Sequence, residues 1–144
     1  EFDTSAHSHA GARGLMQLMT YTAKVVAKQA KLPYSKSKLT KDPEYNINLG
    51  SHYIAGLILE YDGAYPFAIA AYNAGPQAVN RWLTQRPGRP LDVFIEEIPY
   101  LETRNYVRKV IHNINMYQHL YAPHSTPVPL AAQLPTESTQ YVSF

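Results

Sequence analysis

The amino-acid sequence predicts an all-α domain of roughly six short helices. Three observations carry that expectation. Apolar residues recur every three or four positions through most of the chain, the period of one helix face. Helix punctuation recurs at Asp42-Pro43, Asp62-Gly63 and Gly75-Pro76. No segment shows the strict alternation of a half-buried strand, and no internal repeat, glycine-rich phosphate loop or His-Glu-x-x-His zinc motif is present.

Taken in order, Phe2 to Ala12 reads as loop, small and polar without an apolar period. His7 and His9 could face one side of an extended segment, but no third ligand lies near, so solvated histidines are the expectation over a metal pair. Glycines at 11 and 14 mark a turn or a close approach, and Gln17 stands among Leu15, Met16, Leu18 and Met19. An amide so held either bonds to backbone in a buried turn or orients a sugar N-acetyl or hydroxyl. Thr20 or Thr22 is the expected cap of a helix running to about Lys31, with Ala23, Val26, Ala27 and Ala30 at helical spacing. Leu32 to Lys41 reads as a basic loop. Asp42 as cap and Pro43 in the first turn open the next helix, with Ile47, Ile54, Leu57, Ile58 and Tyr61 as its apolar stripe.

The stretch Phe67 to Ala74 holds a single strongly polar side chain, Asn73, and four alanines. It reads as a buried helix whose small residues let neighbours approach closely. Gly75 suits the left-handed residue at its end, and Pro76 the first turn of a short helix with Val79, Trp82 and Leu83 inward. Leu91 to Pro99 is expected to form a further short helix. Glu96 and Glu97 are adjacent there and diverge by ~100° on a helix, which argues against a paired-carboxylate site in one cleft. Leu101 to about Tyr121 is the longest helix, with Val107, Val110, Ile111, Ile114, Tyr117 and Tyr121 as its stripe; Glu102, Arg104, Arg108 and Lys109 are expected on its solvated face or paired to neighbours. Four prolines fall in residues 122–144, which read as a disordered tail or a linker.

Composition bounds the function. The 144 residues suit one domain with one core, and 45% hydrophobic against 17% charged residues is a globular balance. A net charge of +2 is too small to argue for nucleic acid and only weakly suits an anionic polymer. Twelve tyrosines and one tryptophan suit either a cleft for sugars and peptides or wet-edged core packing. The absence of cysteine excludes a disulfide scaffold and a Cys nucleophile, and leaves the compartment undecided. No stretch approaches the ~20 continuous apolar residues of a membrane span, and no signal peptide is visible.

Four runs together resemble the catalytic domain of bacterial soluble lytic murein transglycosylases. They are Phe2-Asp-x-x-Ala6-x-Ser8-x-Ala10-Gly11-Ala12-x-Gly14-Leu-Met-Gln17-x-Met19, Asp42-Pro43-x-x-Asn46-Ile47-x-x-Gly50, Ala71-Tyr72-Asn73-Ala74-Gly75-Pro76, and Glu96-x-Ile98-Pro99-x-x-Glu102-Thr103-Arg104-x-Tyr106-Val107. In order they cover about residues 2–120. The resemblance implies a lysozyme-like (goose-type lysozyme-like) helical fold over residues 1–121. It implies cleavage of peptidoglycan between N-acetylmuramic acid and N-acetylglucosamine with a 1,6-anhydromuramyl product, in the periplasm or cell envelope. No metal or organic cofactor, no nucleic acid and no transmembrane segment is implied, and a monomer is the expected state. One glutamate would serve as acid and then base, with the muramyl N-acetyl as internal nucleophile.

The family pattern Glu-Ser-x-aromatic ends at Phe2, so its catalytic Glu is expected upstream of Glu1, on a first helix absent from these residues. Glu1 falls on the variable position, and two residues of helix turn it by ~200°, which speaks against it as the acid. The 144 residues alone are therefore expected to be inactive. The resemblance also makes Ser8, Gln17, Met19, Tyr72 and Glu96 substrate-binding residues. Asn73 is expected to support its helix end, Tyr106 to be within reach of the cleft, and Glu102 with Arg104 to be structural. The alternatives are a non-catalytic peptidoglycan-binding or degenerate module, and a hydrolytic muramidase on the same fold.

Overall fold

In the computed structural model, which describes residues 2–122 and His124, seven helices occur among the described residues and no strand. They are α1 (Thr20–Gln29), α2 (Lys38–Lys41), α3 (Pro43–Glu60), α4 (Tyr65–Ala74), α5 (Pro76–Gln85), α6 (Leu91–Glu96) and α7 (Leu101–Tyr121). Glu1 and almost all of the proline-rich tail lie outside the described residues. The chain divides into two compact units, the first ending at Gly56 inside α3 and the second starting at Leu57.

The first unit buries Leu18, Ala23, Val26, Ala27, Leu39 and Leu49. Neither threonine caps α1: Met19 holds the cap position and no side chain bonds there. The helix also ends two residues before Lys31. Lys31 takes φ +55°, Leu32 N–H donates to Ala27 O at 2.8 Å and Lys31 N–H to Lys28 O at 3.2 Å, a Schellman closure built on a lysine. The basic loop holds one helical turn, α2, because Leu39 is fully buried and anchors it. Asp42 does cap α3, its carboxylate accepting the Tyr45 N–H at 3.0 Å, and that bond holds its pKa below the ordinary carboxylate value. Of the expected α3 stripe, Leu57 and Tyr61 are buried and Ile54 and Ile58 half-buried, and only Ile47 departs from it. Asn46 and Leu49 are buried, whereas Ile47 is 46% exposed.

In the second unit, Pro66 to Ala71 of α4 are buried without a break, and α4 packs on α5 and α7. Phe67 sits edge-on to Phe94 of α6, with ring centres 4.9 Å apart. Gly75 has φ +84° and ψ 147°, not the left-handed helical values expected but still a conformation that disfavours a side chain. It lets Pro76 begin α5 directly. α6 stops at Glu96 rather than at Pro99. α7 buries only Thr103, Val107 and Ile111; Tyr117 and Tyr121, expected inward, are exposed and stack on each other at 5.8 Å.

α3 ends in the same closure as α1, with Asp62 at φ +50° and Gly63 N–H donating to Ile58 O at 2.8 Å. An aspartate there carries a left-handed backbone and a negative charge beside the helix's negative end. Asp62→Gly is expected to raise unfolding free energy by about 0.5–1 kcal/mol, read as a higher thermal midpoint.

Candidate functional site

In the first unit, residues 6–19 form a tight double loop. Ser8 N–H donates to Ala12 O at 3.0 Å, and Ala12 N–H donates back to Ser8 Oγ at 2.9 Å. Arg13 and Leu18 exchange two backbone bonds at 3.0 and 3.1 Å, and Gly14 N–H donates to Ala6 O at 2.9 Å. His7 is drawn in as well, its ring nitrogen against the Arg13 guanidinium. Gly14 is required on two counts. Its φ is +71°, and a Cβ there would lie 2.0 Å from Leu39 O.

Gln17 sits at φ +48°, strained for a residue with a side chain. Its backbone N–H (3.0 Å) and its side-chain Nε2 (2.8 Å) both donate to Gly14 O. The Gln17 amide thus bonds to backbone as one of the two expectations had it, but the residue is exposed rather than in a buried turn. Met19 is exposed at the start of α1, and Ser8 is half-buried. The three therefore stand on one braced loop.

What braces that loop is Asn46, buried on α3. Its Oδ1 accepts the Met16 N–H at 2.7 Å, and its Nδ2 donates to Arg13 O at 3.1 Å and Leu39 O at 3.0 Å. A polar residue in helical register with buried Leu49 and Gly50 was the available signal, and reading Ile47 as the core position hid it.

In the second unit, Tyr72 and Asn73 close α4. Asn73 Oδ1 accepts the Thr103 hydroxyl at 2.6 Å, tying the end of α4 to the first turn of α7 and so supporting its helix end. Tyr72 is half-buried. Tyr106 lies one turn beyond Thr103, also half-buried, and burial pushes its phenol pKa up. Arg104 donates twice to Ile98 O, at 3.1 and 2.8 Å, and so fixes the turn between α6 and α7.

Glu96 ends α6 and is gripped through both oxygens by Arg108, with Nε donating at 3.0 Å. The Arg108 hydrogen bond holds its carboxyl below the ordinary value. Glu97 turns to other cations, with Arg86 at 3.6 Å and Arg89 at 3.8 Å. Both glutamates border a groove of about 640 Å³ between α6 and α7, also lined by Val93, Ile95, Ile111 and His112, so the helical divergence separates their carboxylates but not their positions along it.

Glu60, at the end of α3, was not legible in the sequence. Both its oxygens are buried without a hydrogen-bond partner, and burial raises its pKa above the ordinary 4.5. Among the described residues no three His, Cys, Asp or Glu gather to hold a metal, and no helix is long and apolar enough to cross a membrane.

The family model for the transglycosylase SLT domain matches residues 1–95. The soluble lytic murein transglycosylase of Escherichia coli K12 is 43% identical over 106 residues, which are 72% of this chain and 16% of that protein. The solved 70 kDa soluble lytic transglycosylase of Escherichia coli has a TM-score of 0.81 at 36% identity, covering 91% of this chain and 21% of that one. The lytic transglycosylase Slt of Pseudomonas aeruginosa, solved as an inactive mutant with glutamine in place of a glutamate, has a TM-score of 0.78 at 37% identity, covering 87% and 20%. The chain thus spans about a fifth or less of these proteins, and it shares their helical, lysozyme-like fold.

Two outcomes test the site's construction. Asn46→Ala strands the Met16 N–H and the Leu39 carbonyl and leaves Arg13 O with its Leu18 bond alone, and is expected to cost about 2–5 kcal/mol in chemical denaturation. Glu60 keeps its proton longer when folded than when unfolded, so stability should fall as pH rises from 4.5 through its raised folded value. Glu60→Gln is expected to flatten the stability profile across that window, leaving the acid limb set by Asp42 and Glu96 unchanged.

Proposed function

The chain belongs to the transglycosylase SLT domain family, and from that premise we propose that its protein cleaves peptidoglycan in the cell envelope as a lytic transglycosylase. The bond is the β-1,4 link from N-acetylmuramic acid to N-acetylglucosamine. A glutamic acid protonates the glycosidic oxygen, and the bond from muramyl C1 breaks as the N-acetyl oxygen closes on that carbon. The resulting carboxylate then takes the proton of the muramyl 6-hydroxyl. That oxygen displaces the N-acetyl at C1 and leaves the 1,6-anhydro ring, so no water is consumed.

One observation shapes the assignment of roles: Arg108 holds Glu96 ionised. A general acid must carry its proton near neutral pH, and Glu96 is tuned the other way. Glu96 is thus a wall carboxylate that can accept substrate N–H and O–H groups, and the proton is handled by another glutamate. The resemblance puts that glutamate in the pattern ending at Phe2, and the inactive glutamine mutant of the Pseudomonas aeruginosa enzyme fits a single essential glutamate. Ser8 and Gln17, on the loop braced by Asn46, offer a hydroxyl and an oriented amide to sugar hydroxyl and N-acetyl groups. Tyr72 offers its phenol to the muramyl residue.

The product separates this reading from a water-dependent muramidase. Mass spectrometry of sacculi digested by the full-length protein should show anhydro-ended muropeptides; reducing ends would point to hydrolysis, and no release to a binding module. In the full-length protein, Tyr72→Phe is expected to lower turnover roughly ten- to a hundredfold while shifting the thermal midpoint little. Unchanged turnover would remove Tyr72 from the site.

A further inference from the structure

The proposed chemistry uses nothing between α1 and α3, yet that stretch concentrates the chain's positive charge. Six of its 13 Lys and Arg residues are lysines between positions 24 and 41, with no carboxylate among them. All six are exposed. Lys24 and Lys28 stand one turn apart on α1, outside its buried stripe of Ala23, Val26 and Ala27, and Lys31 follows just past its end. They span about 10 Å. Lys36, Lys38 and Lys41 continue the series onto α2.

The connection between the two groups is held firmly. Leu32 N–H closes onto Ala27 O at 2.8 Å, and Tyr45 Oη donates to Pro33 O and accepts from Ser35 N–H, each at 3.0 Å. Buried Leu39 pins α2. Of these six lysines, only Lys38 has an ion-pair partner among the described residues, Asp42 at 3.4 Å. A lysine at the C-terminal end of α1 gains from the helix dipole, which accounts for Lys28 and Lys31. It does not account for Lys24, Lys36 or Lys41, and like charges one turn apart oppose folding. The first unit therefore displays a run of exposed lysines that the described residues leave almost unneutralised.

We propose that this lysine run docks the carboxylate-bearing stem peptides of peptidoglycan, holding the protein on its polymer through a salt-dependent contact apart from bond cleavage. The inference rests on the function proposed above. Charge complementarity selects the partner class, and two features favour stem peptides over a lipid surface. A helix that lies on a bilayer needs an apolar face to bury there, and the apolar face of α1 is already used in the core. Phosphate is matched best by the bidentate fork of arginine, yet none of the six is arginine; mobile ammonium groups suit carboxylates scattered through a hydrated network. Lys24 and Lys28 on α1, and Lys38 and Lys41 on α2, are spaced within about one Debye length at physiological salt, so each pair acts together on a polyanion.

The test is sedimentation of the full-length protein with purified sacculi at low and at physiological salt. It compares the natural protein with one carrying Lys24→Gln, Lys28→Gln, Lys31→Gln, Lys36→Gln and Lys41→Gln, sparing the paired Lys38. The expected result is about tenfold weaker binding at low salt and a flattened salt dependence, with an unchanged thermal melt. Amidating the sacculus carboxylates should bring the natural protein down to the level of the variant. Equal binding by both proteins, or no response to amidation, overturns the proposal. So does a lysine-dependent retention on phosphatidylglycerol vesicles with none on sacculi. Anhydro ends are scored in the same samples. Their absence with retention intact refutes the catalytic reading alone, and their presence with lysine-independent retention refutes this inference alone.

Discussion

Asn46 is the constraint on which the first unit depends. One side-chain amide joins α3 to three backbone points: it satisfies the Met16 N–H and the Leu39 carbonyl, and adds a second donor to the Arg13 carbonyl that Leu18 N–H already bonds. Only an uncharged amide can do this, since the cluster needs one acceptor and two donors from a single short side chain. Gly14 and Gly50 follow from the same clamp. A Cβ at Gly14 would collide with Leu39 O and the Asn46 amide, and one at Gly50 would meet the Met16 side chain at 2.6 Å. The strained Gln17 backbone is tolerable because residues on both sides of it are fixed: Arg13 and Leu18 pair with each other, and Met16 is held by Asn46. The amide that a sugar would meet is positioned from beneath.

The second unit reaches the same end with apolar contacts. Ala68, Ala70 and Ala71 of α4 are wholly buried and let α5 and α7 close on it, so Tyr72 and Asn73 are delivered at the end of a tightly packed helix. The Asn73–Thr103 bond and the double Arg104 contact to Ile98 O fix the two ends of the α6–α7 connection. Glu96, at the last residue of α6, inherits that rigidity.

Helix existence was legible wherever local chemistry decides it. Asp42-Pro43, Gly75-Pro76 and the apolar run of α4 each specify their own boundary, and α3 starts at Pro43, α4 ends at Ala74 and α5 starts at Pro76. What failed was decided by tertiary contact. Ile47 and Asn46 are neighbours, and periodicity assigned the apolar one to the core, whereas the Met16 N–H and the Leu39 carbonyl required the polar one. Tyr117 and Tyr121 continue the stripe of α7, but nothing described in the second unit extends far enough to cover them. The candidate site was legible as residue types in motifs. Its bracing by Asn46 and the burial of Glu60 were not, because neither leaves a periodic trace.

The placement of arginine and lysine separates two tasks in one small chain. Where a carboxylate must be oriented, the structure uses the planar fork: Arg108 grips both oxygens of Glu96, and Arg86 and Arg89 flank Glu97. Where charge is displayed outward, between α1 and α3, it uses lysine alone. Exchanging them would weaken both. A lysine at 108 would neutralise Glu96 as a point charge without fixing its plane, and arginines along α1 would favour rigid, bidentate partners over a mobile network. The division follows from the physical needs of the two surfaces. In the proposed function one holds a carboxylate in a single orientation beside the sugar, and in the proposed docking the other attracts many carboxylates in none.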